Sequence, residues 1–126
     1  MKSMDSLKAT VQTLRGPNGC PWDKAQTIQS LTPYIIEEAY ELVDAIKMGG
    51  IPHIIEECGD VLLQVILISQ IASESGQFSI ENVVNCVDQK MIERHPHVFG
   101  DAAVESVEDV LIHWENNKEK KEKKKR

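Results

Sequence analysis

The sequence predicts an all-α protein, an antiparallel bundle of four to five helices. Three observations predict it: apolar residues recur at spacings of three and four, no stretch sustains period-two alternation, and Gly- and Pro-rich segments cut the pattern into helix-sized pieces. A length of 126 residues suits one hydrophobic core. With 41% apolar and 5% aromatic residues, that core rests on Leu, Ile and Val. So small a unit leaves apolar surface uncovered, and the bundle is expected to assemble into a homo-oligomer.

Leu7, Val11 and Leu14 share one face of a first helix, which ends before Gly16-Pro17. Arg15 to Gln26 is dense in Gly, Pro, Asn and Asp and reads as an irregular loop carrying one large aromatic, Trp22. Thr32-Pro33 opens a helix, with Thr32 as cap and Pro33 where a missing N–H costs nothing. It runs to Met48, stops at Gly49-Gly50, and a new helix from Pro52 lasts until Gly76. Two helices so briefly joined lie antiparallel and adjacent. Ser79 caps a further helix through Val83, Val87 and Met91, closing at His95-Pro96. A second loop, HPHVFGDA, follows, and Ser106 with Asp109 resembles a capping box for a last helix through Val107, Val110, Leu111 and Trp114.

Charge is unevenly spread. The net −6 combines seven bases and two acids from Lys118 to Arg126 with an acidic remainder of −11. We read residues 1–117 as the domain and 118–126 as a charged, solvated tail. A body this acidic repels phosphate backbones, so no nucleic-acid partner is expected. Cys20, Cys58 and Cys86 are odd in number and widely spaced, fitting reduced thiols. The N-terminus has no apolar signal core, and the apolar run Val61 to Ile68 is too short to span a bilayer. The expected location is the cytoplasm, with no membrane contact.

The helix from Pro33 carries Glu37, Glu38 and Glu41; the helix from Pro52 carries Glu56, Glu57 and Asp60. Acids three apart share a face, giving the pairs Glu38/Glu41 and Glu57/Asp60. At about 1.5 Å per residue, Glu41 and Glu38 lie roughly 10 and 15 Å before the turn, and Glu57 and Asp60 roughly 8 and 12 Å after it. The heights match, so Glu41 faces Glu57 and Glu38 faces Asp60 if both faces turn to the shared groove. Four crowded carboxylates repel unless a divalent cation sits among them, and all-oxygen ligands suit Mg²⁺, with Mn²⁺ as substitute. The alternative is a solvated acidic face. Gly59 beside Asp60, costly in a helix, is expected to mark a close approach. His95 and His97 straddle a proline without companion ligands, and are expected to be structural.

The runs EEAYE at Glu37 to Glu41 and EECGD at Glu56 to Asp60 resemble the EExxE…ExxD signature of the all-α nucleoside triphosphate pyrophosphohydrolases. GCPWDKAQT at Gly19 to Thr27 and KMIERHPHVFGD at Lys90 to Asp101 are similar to further motifs of the MazG family, in order. The resemblance implies Mg²⁺-dependent cleavage of nucleoside triphosphates to monophosphate and pyrophosphate, with Glu38, Glu41, Glu57 and Asp60 as metal ligands. It implies a catalytic role for Glu37 and Glu38, Glu37 being the candidate that activates water or supports the ligands from behind. Lys90 and Arg94 are implied near the substrate phosphates, and Trp22 near the base or at the edge of the active site. Ile28 and Glu93 depart from residues common in the family, a polar histidine and a second arginine, and are expected to alter nucleotide preference. Two other readings stay open: a specialised nucleotide such as a modified or deoxynucleotide or phosphoribosyl-ATP, and a non-enzymatic acidic interaction module.

Overall fold

The computed structural model describes residues 2–101, 103 and 105–125, with the side chains of all but 113, 117 and 119–125. Among these residues every regular element is helical. The helices are α1 (Met4–Leu14), α2 (Pro21–Ala25), α3 (Thr32–Met48), α4 (Ile51–Glu74), α5 (Ile80–Glu93), α6 (Pro96–Phe99) and α7 (Val107–Lys125), with a 3₁₀ turn at Gln29–Leu31. The five longer ones correspond to the expected bundle helices. The chain divides into two compact units, Met1–Ile80 and Glu81–Arg126.

In the first unit α3 and α4 pack side by side, and α1 packs on α4. Val11, Leu31, Ala45, Ile66, Leu67 and Ala72 are buried and form the core that holds these helices. Ser3 caps α1, its Oγ accepting from the Ser6 N–H at 3.3 Å. Gly49 ends α3 at φ 80°, a left-handed conformation that lets the chain reverse at once into α4. Gly19 is required for a different reason: a Cβ there would lie 2.1 Å from the Leu14 carbonyl oxygen.

Three expectations are corrected. Both segments read as loops contain a short helix, α2 and α6, each started by its proline, Pro21 or Pro96, in the first turn. Thr32 is not a cap: the 3₁₀ turn runs straight into α3, so Thr32 is already helical and its Oγ1 donates to Gln29 O at 2.9 Å. Gly59 marks no close approach within the chain, since nothing lies within 4 Å of a Cβ built there.

In the second unit, α7 begins with the expected capping contact, Asp109 N donating to Ser106 Oγ at 3.1 Å. Asp109 Oδ2 in turn accepts from Glu105 N at 3.2 Å. The α7 backbone continues without a break between 117 and 118, as far as Lys125. No helix among the described residues is long and apolar enough to cross a membrane.

Candidate metal centre

The site is built by the α3–α4 hairpin. Glu38 and Glu41 stand one turn apart on α3, Glu57 and Asp60 one turn apart on α4. The short Gly49-Gly50 connection brings the pairs to the same height. One oxygen from each of the four carboxylates lies within 4.8 Å of the others.

This crowding has electrostatic consequences. The Glu38 carboxyl is pushed up to about 7, first by loss of solvent, then by repulsion from Glu41 and Asp60. Glu57, 7% exposed, is also raised, by loss of solvent and then by Glu41 and Asp60. His53, one turn before Glu57, sets its Nε2 3.5 Å from Glu57 Oε1 and opposes that rise. Glu38 Oε2 and Glu57 Oε2 are buried without a hydrogen-bond partner. Gln64 Oε1, one turn beyond Asp60, is also without one. Buried orphan acceptors cost free energy, and among four carboxylates the group that would satisfy them is a cation. The all-oxygen donor set suits a hard divalent ion.

The remaining expected residues fall in three places. Glu37 is exposed on α3 and stands outside the group of four converging carboxylates. Trp22, on α2, is 48% exposed and meets Tyr34 of α3 edge to face, with ring centroids 5.6 Å apart at 78°. Lys90 and Arg94 belong to the second unit, one turn apart at the end of α5, with Arg94 N donating to Lys90 O at 3.0 Å. Arg94 is buried, its Nε lacks a partner, and its guanidinium carbon lies 5.6 Å from the Trp114 ring centroid. Lys118 Nζ lies 5.2 Å from the same ring. His95 is engaged locally, its Nδ1 2.6 Å from Met91 O.

Sequence reasoning did not single out three residues found against the expected ones: Tyr34, His53 and Trp114. Tyr34 precedes Glu38 by four residues and His53 precedes Glu57 by four, so helical spacing alone would have found both. The contact of Trp114 with Arg94 had no such signal, because the two are twenty residues apart.

A family model described as the MazG nucleotide pyrophosphohydrolase domain matches residues 26–99, more than half of the chain. The chain belongs to the MazG family. The four carboxylates, Lys90 and Arg94 fall inside that match; Trp22 and Trp114 lie outside it.

This MazG chain is similar to the nucleoside triphosphate pyrophosphohydrolase/pyrophosphatase MazG of Thermotoga maritima, 46% identical over 97% of this chain and 46% of the relative. It is 42% identical to the nucleoside triphosphate pyrophosphohydrolase of Escherichia coli K12, over 94% of this chain and 45% of that one. The uncharacterized protein YabN of Bacillus subtilis is 52% identical over 90% of this chain and 23% of its own length. The chain thus spans less than half the length of these curated relatives. The crystal structure of a mazG-related protein from Thermotoga maritima superposes with a TM-score of 0.74 and 25% identity, covering 92% of this chain and 99% of that one.

Proposed function

We propose that this MazG domain hydrolyses nucleoside triphosphates to the monophosphate and pyrophosphate, using Mg²⁺ held by Glu38, Glu41, Glu57 and Asp60. The observation that carries the reading is the convergence of four carboxylates with two orphaned, buried oxygens. The names of the Thermotoga and Escherichia relatives supply the substrate. A divalent cation bound there, Mg²⁺ or Mn²⁺, supplies neutralisation of phosphate charge and raises the acidity of water.

The chain's own residues do the rest. Glu38, Glu41, Glu57 and Asp60 would hold the cation, which would offset phosphate charge, and Lys90 and Arg94 are the proposed donors of charge-assisted hydrogen bonds to phosphate oxygens. Glu38, the other acid with a proposed catalytic role, stands among the four ligands, and holding a cation there requires its ionised form. Exposed Glu37 accepts the proton of the attacking water. The water oxygen bonds to the α-phosphorus, the bond from that phosphorus to the bridging oxygen breaks, and pyrophosphate leaves. Trp22 receives the edge of the base.

We also infer a homodimer. Ile36, Tyr40 and Val43 on α3, with Ile51, Ile55 and Leu62 on α4, leave an apolar stripe in solvent; Tyr40 is 70% exposed and Ile55 67%. The nucleotide substrate and the free thiols Cys20, Cys58 and Cys86 favour a cytoplasmic setting. Residues 118–126 are inferred to lie outside the catalytic domain, 1–117, except that Lys118 contacts Trp114.

The test is incubation with ribo- and deoxynucleoside triphosphates and phosphoribosyl-ATP in Mg²⁺, Mn²⁺ or chelator, followed by ion-exchange chromatography. Equal amounts of monophosphate and pyrophosphate, abolished by chelator, are expected. Diphosphate and phosphate as products would refute attack at the α-phosphorus, and no turnover of any nucleotide would favour a binding module.

A further inference from the structure

The short helix that carries Trp22 has no core of its own. None of the five residues of α2 is buried, and a helix this short does not persist alone. What fixes it is polar, and one guanidinium ties its end to two other helices.

Arg15 follows the last turn of α1, and its side chain is 8% exposed. Its Nε donates to Glu74 Oε2 at 2.8 Å and its Nη2 to Glu74 Oε1 at 2.9 Å, a forked pair with the last residue of α4. Its Nη1 donates to the carbonyl oxygens of Asp23 and, at 3.2 Å, of Gln26. Those carbonyls close the C-terminal end of α2, where a helix leaves acceptors unsatisfied. One cation therefore joins the ends of α1, α2 and α4. Gln70 Nε2 adds a bond to Glu74 Oε2 at 3.3 Å, and the pairing with Arg15 holds the Glu74 carboxyl below its ordinary range.

The other side of the loop is closed by uncharged bonds. Gln26 Nε2 donates to Trp22 O at 3.0 Å, and Ser30 Oγ donates to Gln26 Oε1 at 2.7 Å. Thr27 and Ser30 exchange bonds, Thr27 N to Ser30 Oγ at 2.8 Å and Ser30 N to Thr27 Oγ1 at 3.0 Å. The indole is thereby held half exposed against Tyr34, one turn and roughly 6 Å of helix rise before Glu38.

We propose that Arg15 is a positioning residue for nucleotide binding: its clamp on Glu74 and on the end of α2 presets the Trp22–Tyr34 edge that meets the base. The inference rests on the reading of Trp22 as a substrate contact. A preset aromatic edge spares the ligand the cost of ordering it, so losing the clamp weakens binding rather than chemistry. Lysine cannot replace it, because one ammonium does not make a fork to a carboxylate while reaching two carbonyls.

The experiment compares Arg15→Lys, Arg15→Gln and Glu74→Gln with Trp22→Ala, all in the full chain. Steady-state kinetics are read at saturating Mg²⁺, and acrylamide quenching of Trp22 is read in a Trp114→Phe background. In the three clamp variants KM should rise about three- to tenfold with kcat within about twofold, the scale of one or two side chains ordered on binding instead of before it. Quenching of Trp22 should increase in each, and Trp22→Ala should raise KM at least as far. Glu74→Gln keeps the test alive if Arg15 variants do not fold, because Glu74 is partly exposed. An unchanged KM in folded clamp variants, with Trp22→Ala impaired, would overturn the role of Arg15. An unchanged KM in Trp22→Ala itself would overturn the reading beneath it, whatever the quenching shows.

Discussion

Glu38 holds its proton up to about 7 because burial and three neighbouring acids make the charged form expensive, and an isolated Glu would release it near 4.5. Between those values the folded chain binds more protons than the unfolded one, so metal-free stability contributed by this group is present at low pH and falls as pH rises through about 7. Melting curves in chelator from about pH 5 to 8 should therefore show wild type losing stability relative to Glu38→Gln. The opposite slope in that difference would contradict the crowded apo site. Mg²⁺ requires the ionised ligands, so its stabilising effect should grow over the same interval. Asp60→Asn and Glu41→Gln go further, each deleting one negative charge at constant shape. Turnover should fall by about two orders of magnitude or more, the usual scale for a lost metal-site or electrostatic contact. Melting temperature without metal should hold or rise, and the Mg²⁺-induced gain should shrink. Wild-type turnover in both variants would remove these carboxylates from the reaction. The four acids were legible in the sequence because helix spacing and one short turn determine their meeting. Glu37, the proposed water-activating acid, is the next residue on the helix, about 100° around it from Glu38 and outside the four converging carboxylates.

At the scale of elements, the turn residues of the hairpin were legible and the meaning of one glycine was not. Gly49 adopts φ 80°, where an L side chain is strained, so Gly49→Ala should cost about 1–2 kcal/mol in chemical denaturation. Gly59 was expected to permit a close approach, but a Cβ there meets open space, and helix propensity then predicts that Gly59→Ala stabilises the isolated chain by up to about 1 kcal/mol. Destabilisation of the monomer by Gly59→Ala would contradict the open space around that position. The loops held a similar lesson: Pro21 and Pro96 signal helix starts as Pro33 and Pro52 do, but the segments after them are too short for apolar periodicity to register. Thr32 failed as a cap because the preceding 3₁₀ turn had already supplied helical backbone. Leu31, the last residue of that turn, is fully buried, which no local pattern announces.

For the whole molecule, the all-α class and the expectation of uncovered apolar surface followed from the sequence, while the residues that form that surface became visible only once the hairpin was assembled. The stripe of Ile51, Ile55 and Leu62 on α4 repeats at spacings of four and seven, the pattern of a helix face made to meet another helix. Gly59 lies between Ile55 and Leu62 on this stripe, so a second copy seated there gives the glycine the close approach that the single chain lacks. Ile55→Glu places a charge at a residue 67% exposed in the monomer, where it costs little, and at the centre of the proposed contact, where an unpaired charge is expensive to desolvate. Sedimentation at micromolar concentration should then show wild type as a dimer and Ile55→Glu as a folded monomer. Gly59→Ala should fall between them, with a dissociation constant raised if the helices approach closely at that point. Its melting temperature should accordingly gain less than propensity predicts at high concentration and the full amount on dilution, because dimer stability depends on protomer concentration and monomer stability does not. A wild type that sediments only as monomer would sink the dimer, and the stripe would then need another partner to cover it.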